Sequence, residues 1–378
     1  MLCARVWEEH RQQISCKQVE TWRSAGLLPD NFRHALGRGR GKASWLHSGA
    51  VRIAAELGRH SRPGRRLNES VLRAFTADPI VFAGGRPERH PITGVGVPFL
   101  PERGVRAALE WEAAKERPGD TIARLLSEGL SFDAALDASN ADVDRVAREC
   151  ARILARRRRS LGDRRAQPEQ EDVVAAIAQI MVDRAGGLGL PSESVVESGD
   201  TLARAMGGGR PAAEVEQTRR LIIADELAGR LVVTGDGGRT MGANERVLAL
   251  RGRAYRDICE VASVMHFVAR TVRNRRIALD YLPQSALVRR TAVLYATDPW
   301  LHWWITGLEH VIGLQGPDNW RGMTTAVTGI CLRANGLEQA RRLASMLEYC
   351  YGDASVAQVE LELGRRLVAR FSPDVGAP

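Results

Sequence analysis

Ten side chains in the first forty-two residues carry the donors and charges with which a protein holds a nucleic-acid duplex: Lys17, Gln18, Glu20, Thr21, Arg23, Ser24, Arg33, Arg38, Arg40 and Lys42. Glutamine and threonine hydrogen-bond to base edges in the major groove, while lysine and arginine hold phosphate oxygens or guanine. Arg38, Arg40 and Lys42 alternate with Gly37, Gly39 and Gly41. Glycine lets backbone pass close to phosphates, and the basic residues put charge on its flanks. Residues 1–70 hold thirteen Lys and Arg against six Asp and Glu, so less than a fifth of the chain carries most of its net charge of +9. Such asymmetry points to a polyanionic partner, double-stranded DNA before RNA. A solvated basic loop on a small structural domain is the plainer alternative.

The arginine excess taken alone says less. Lysine occurs only at Lys17, Lys42 and Lys115, so 51 of the 54 basic residues are arginine. With abundant Ala and Gly, this resembles the codon usage of a high-GC bacterial genome, or of a phage or plasmid living in one.

Other chemistry has little footing. No phosphate-binding lysine loop, no G-x-S-x-G, no H-E-x-x-H and no strand-flanked G-x-G-x-x-G is present, so neither an enzyme nor a cofactor is expected. The six cysteines (3, 16, 150, 259, 331 and 350) are scattered without C-x-x-C spacing. Free thiols in a reducing cytoplasm are expected rather than a disulfide framework or a metal site. Trp300, Trp303 and Trp304 fall on one helix face, with Trp320 close behind. They read as core first and as the lining of an apolar ligand pocket second. His302, Glu309 and His310 nearby lack a third ligand at useful spacing. The basic run Arg156–Arg165 reads as a solvated helix end, with a second DNA-backbone contact as the alternative.

The elements that must position the basic residues follow from the pattern around them. A short helix is expected over 4–13. Ser15 suits the N-cap of a second helix expected from Cys16 to about Ala25, which Gly26 ends. The glycine–arginine run within 33–44 cannot hold a helix and reads as a loop or hairpin tip. Ser48 opens a helix carrying Val51, Ala54, Ala55 and Leu57, and Asn68 opens another carrying Val71, Leu72 and Phe75.

The stretch Ile14–Pro29, with Val19, Trp22, Arg23 and Gly26-Leu-Leu-Pro29, followed by Leu36–Trp45 with its glycine–arginine run, resembles the N-terminal domain of MerR-type regulators. The resemblance covers about a fifth of the chain. It implies a winged helix-turn-helix in which 16–25 is the recognition helix, 36–44 a basic wing, and Val19, Trp22, Leu27 and Leu28 the packing face. It further implies sequence-specific binding of double-stranded DNA in transcriptional control, usually as a homodimer. Two departures limit it. A Pro/Gly-rich tract stands where the family's long dimerisation helix usually follows, and no Cys-rich metal-sensing loop is present.

The expected architecture is therefore mainly α: a winged helix-turn-helix over 1–76, a linker over 77–101, and a large all-helical domain over 102–378 for dimerisation or for sensing a small molecule or protein. Helices are expected near 102–116, 120–137, 140–159, 168–185, 211–229, 242–276, 285–296, 299–313, 316–334, 336–350 and 353–371. The stripe Leu250, Ala254, Ile258, Val261, Met265, Val268 and Val272 makes one continuous helix face. It reads as a central core helix or as a dimer seam. No apolar run of about 20 residues exists, so no membrane partner is expected. The location expected is cytoplasmic, at the nucleoid. A phage or plasmid maintenance factor (excisionase-like or a partition adaptor) and a helical enzyme or scaffold with an appended DNA-binding domain are the alternatives.

Overall fold

A computed structural model of the chain describes residues 2–35, 42–77, 100–115, 118–160, 168–186, 198, 201, 220, 243–297, 320–332 and 335–371. These residues are mainly helical, with one described pair of strands. Apart from Arg220, the helices expected at 211–229 and 299–313 lie outside the described residues, as do residues 78–99 of the linker expected over 77–101 and the tryptophans 300, 303 and 304. None of the described helices is long and apolar enough to cross a membrane.

By contacts the chain divides into two compact units. The first comprises Met1–Ala114, Val247–His266 and Gly316–Leu332. It opens with α1 (Leu2–His10) and α2 (Cys16–Ser24), continues through strands β1 (Phe32–Ala35) and β2 (Lys42–Trp45), and then α3 (Ser48–His60), α4 (Leu67–Phe75) and α5 (Glu102–Ala113). Local chemistry sets each boundary. Ser15 caps α2 through its side chain, and Gly26 turns the chain away with φ +68°, a conformation that costs glycine nothing. The ring nitrogen Nδ1 of His47 accepts from the Gly49 amide at 3.0 Å and starts α3. Ala50, Val51, Ile53, Ala54, Ala55 and Leu57 then form its buried face. The single buried carboxylate of α3, Glu56, is bridged by Arg59 and His60, each at 2.9 Å. In α4 the buried face is Val71, Leu72, Ala74 and Phe75. α3 packs on α1 and α4, and α4 on α5.

The division expected at residues 76 and 101 is one of chain composition; the compact unit is one of contacts, and it includes α5. A Cβ on Gly104 of α5 would lie 2.0 Å from Cδ2 of Leu27, so glycine is what lets the fully buried Leu27 side chain seat there. Three later helices complete the unit's described part: α9 (Ala243–Arg251, from Val247 onward), the start of α10 (Tyr255–Tyr281), and α12 (Trp320–Cys331). Arg106 donates to the carbonyls of Leu250 (3.2 Å) and Arg253 (2.7 Å), and Arg253 donates to Cys331 O at 2.8 Å. The Tyr255 hydroxyl donates to Leu100 O at 2.6 Å. Trp320 is buried, with the guanidinium of Arg73 5.1 Å from its ring centre, so it is core.

The second unit comprises Lys115–Arg246, Phe267–Gln315 and Arg333–Pro378. In it α6 (Pro118–Ser127), α7 (Phe132–Ser160) and α8 (Gln170–Gly186) pack on one another. Ile122, Ala135 and Val143 form one core cluster, and Ala147, Ala151, Val173, Val174 and Ile177 another. The break expected between 137 and 140 falls instead before Phe132, where Gly129 takes φ +91°. Buried Arg246 makes a bidentate pair with the partly covered Asp120 at 2.6 and 2.7 Å. Helix α11 (Ala286–Thr297) packs on α13 (Gly336–Tyr351), and α14 (Val356–Phe371) follows.

The helix expected over 242–276 is two helices, α9 and α10, with the chain turning at Gly252. From Ile258 to Val268 every residue but Glu260 is buried. A helix covered on all sides has no free face. The dimer-seam reading of Leu250–Val272 is therefore corrected: the stripe is core, with Ala254 exposed and Val272 half-buried at its margins.

Further along α10 the buried positions turn polar and are paired. Arg270 Nε donates to Glu360 Oε1 at 2.9 Å, and the same oxygen accepts from Arg273 and from Asn274 Nδ2, both at 3.2 Å. Asn274 also donates to the Tyr351 hydroxyl (3.3 Å), which donates to Thr271 Oγ1 (3.1 Å). Desolvation pushes the Glu360 carboxyl up, but the bonds and charges of Arg270, Asn274 and Arg273 outweigh it and hold the group below its ordinary range. A carboxylate depressed in the folded state stabilises fully above its unfolded value and loses that contribution as pH falls through its folded value. Stability is therefore expected to drop below about pH 4.5, the unperturbed value of the group. Glu360→Gln should flatten that acid limb in urea titrations at stepped pH. At neutral pH the variant should be less stable, by less than the ~3–5 kcal/mol of a fully buried broken pair, because the Glu360 side chain is 24% exposed. An acid limb identical in the variant would remove Glu360 from it.

Candidate nucleic-acid interface

The surface is built from α2 upward. Two of its side chains, Val19 and Trp22, are buried, and they fix which way the helix faces. Lys17, Glu20, Thr21, Arg23 and Ser24 are exposed on the remaining faces. The polar side expected of a base-reading helix is thus turned to solvent, and the apolar side to the core.

Gln18 does something the sequence reading did not assign to it. Its Oε1 accepts from the Ser15 amide at 2.8 Å, while the Ser15 hydroxyl oxygen accepts from the Gln18 amide at 3.2 Å. This reciprocal capping box satisfies two of the amides that a helix start otherwise leaves open. The side chain is half-buried and its carbonyl oxygen is committed to the backbone. The Ser-x-x-Gln spacing was visible in the sequence and is the signal that would have found it. Thr21 donates its hydroxyl proton to Lys17 O at 2.9 Å, which leaves the oxygen lone pairs and the methyl group outward.

At the far end of α2, Arg23 Nη2 lies 3.4 Å from Asn31 Oδ1, next to the start of β1. The strands are antiparallel, with Phe32 opposite Trp45, Arg33 opposite Ser44 and Ala35 opposite Lys42. Arg33 and Lys42 are therefore in the ladder rather than in a loop. Arg38 and Arg40 lie outside the described residues. Phe32 and Trp45, directly opposite each other, are both more than half exposed, and Phe32 stacks on His47 with ring centres 5.2 Å apart. The chain thus brings α2 and the base of the hairpin to one region through Arg23 and Asn31.

Among the described residues no group of three His, Cys, Asp or Glu is placed to hold a metal ion. The comparisons with protein-family models, with curated proteins and with solved structures found no match to this chain.

Proposed function

We propose that the chain binds double-stranded DNA, with α2 in the major groove and the hairpin β1–β2 as a wing along the phosphates, in the service of transcriptional control. The observation that carries the proposal is the split of α2 into a core face of Val19 and Trp22 and an exposed face of Lys17, Glu20, Thr21, Arg23 and Ser24. Both faces belong to a short helix held at a fixed start by its capping box. The MerR-like resemblance of Ile14–Trp45 supports the same reading. In this arrangement Lys17, Arg23, Arg33, Arg38, Arg40 and Lys42 supply phosphate or guanine contacts, and Thr21 and Glu20 face the base edges. An acceptor oxygen at Thr21 suits the exocyclic amines of cytosine or adenine, its methyl the thymine methyl, and the Glu20 carboxylate suits cytosine. Pairing of two copies belongs to the same proposal, because one such element reads only a few base pairs. It rests on a surface other than the covered stripe of α10.

The two polar neighbours on α2 separate reading from folding. Thr21→Ala should lose discrimination between a genomic target and random duplex by about 1–3 kcal/mol per base contact, with the unfolding midpoint unmoved. Gln18→Ala should do the reverse, lowering stability by about 0.5–1.5 kcal/mol through the lost bond to Ser15. Genomic footprinting supplies the target, and a binding titration on both duplexes with a urea melt gives both readouts. If Thr21→Ala discriminates as the parent does, Thr21 is not at the base edges.

A further inference from the structure

Cys3 and Cys16 are thirteen positions apart, with nothing in their spacing to link them, yet the fold brings Sγ to within 3.9 Å of Sγ. Cys3 sits in the first turn of α1, and Cys16 is the first residue of α2, directly after the cap Ser15. Both are free thiols. Cys16 is exposed and Cys3 partly covered, and burial together with the bond to Cys16 holds the Cys3 thiol above its ordinary range. Cys259, Cys331 and Cys350, by contrast, are buried, and their thiols are pushed up to about 11, 12 and 12 by desolvation.

We propose that Cys3 and Cys16 form an oxidation-sensitive dithiol that closes to a disulfide under a hydroperoxide and ties α1 to the first turn of α2. A sulfur–sulfur bond is about 2.0 Å long, so closure from 3.9 Å asks for a contraction of roughly two ångströms. The chemistry balances with hydrogen peroxide as the oxidant. The Cys16 thiolate attacks one peroxide oxygen and the O–O bond breaks, leaving a sulfenic acid on Cys16 and, after protonation, water. The Cys3 thiolate then attacks that sulfur and expels the hydroxyl, which leaves as a second water once protonated. Two thiols are oxidised and one peroxide is reduced. Exposure assigns the attack to Cys16, and the covered neighbour resolves the sulfenic acid before it oxidises further. The consequence for DNA rests on the function proposed above: the bond forms one residue before Lys17, on the turn that sets the start of α2.

The test uses the full-length reduced protein treated with hydrogen peroxide, then alkylated and digested with trypsin. The expected product joins peptide 1–5 to peptide 12–17, with two thiols lost and the other four still alkylated; dithiothreitol separates the pair, and Cys3→Ser prevents it. Recovery of both peptides unlinked, Cys16 as sulfinic acid in the parent, or linkage to another cysteine would overturn the proposal. This readout needs no DNA, so it stands or falls apart from the DNA reading. In a second arm, duplex affinity of the oxidised parent should fall by roughly five- to a hundredfold, the ordinary range of coupling between two sites, and recover on reduction. Cys3→Ser should show no such response. A linked protein that binds duplex unchanged would overturn the coupling to α2, and a protein that binds duplex in neither state would overturn the function, with the dithiol intact.

Discussion

Trp22→Ala is expected to lower stability by about 3–5 kcal/mol, the usual cost of deleting a large aromatic from a packed core. Domains of ordinary stability have only about 5–15 kcal/mol in total, so the loss is a large fraction of what holds the first unit together. The indole is 2% exposed and is one of only two side chains that α2 buries. Its removal leaves Val19 as the helix's remaining buried anchor, while the backbone bond from the Leu27 amide to Trp22 O, at 2.8 Å, survives the substitution. Duplex binding should fall with it, because the exposed residues of α2 keep their geometry only while the helix stays seated. Trp7 supplies the control. At 52% exposure on α1, Trp7→Ala should stay within about 0.5 kcal/mol of the parent. Urea melts of the two variants beside the parent check both values. Equal effects would mean that α2 is not held through Trp22.

Much of this unit was legible in the sequence, and the reason is local. Ser15 and Gly26 mark the two ends of α2 by cap chemistry and by a left-handed turn, and both effects act within a few residues. Val51, Ala54 and Leu57 carried the helical period of α3 in the same way. What the sequence leaves hidden lies mostly in long-range contacts. The capping role of Gln18 is the exception, since its three-residue spacing from Ser15 is local and suits a capping box. From Ile258 to Val268 the Leu250–Val272 stripe is a helix face as expected, but its period is silent on the turn at Gly252 and on what covers the other faces. Those faces hold Arg270, Thr271 and Asn274, whose partners Tyr351 and Glu360 lie some eighty to ninety residues away in the chain. No period in a single segment reports such pairing. The seat of Leu27 against Gly104 and the approach of Cys3 to Cys16 are of the same kind, produced by the packing of helices and invisible to spacing.

Arg38, Arg40 and Lys42 are proposed to lie along phosphates, and each phosphate neutralised releases condensed counterions, so affinity falls linearly with salt on logarithmic axes. Replacing all three with Ala should weaken every duplex alike and should reduce that slope by roughly two to three units. Between 50 and 200 mM salt the parent should therefore lose about fortyfold more affinity than the variant if three contacts are removed, at about 0.9 of slope per phosphate. Discrimination between sequences, which the proposed function assigns to α2, should survive in the variant.

The most direct measurement is the affinity of the full-length reduced protein for a genomic duplex across that salt range, beside the Arg38, Arg40 and Lys42 triple alanine variant. The proposed function predicts a steep slope for the parent and a slope shallower by two to three for the variant. A parent that binds no duplex at the lowest salt, or a variant with the parent's slope, would contradict it.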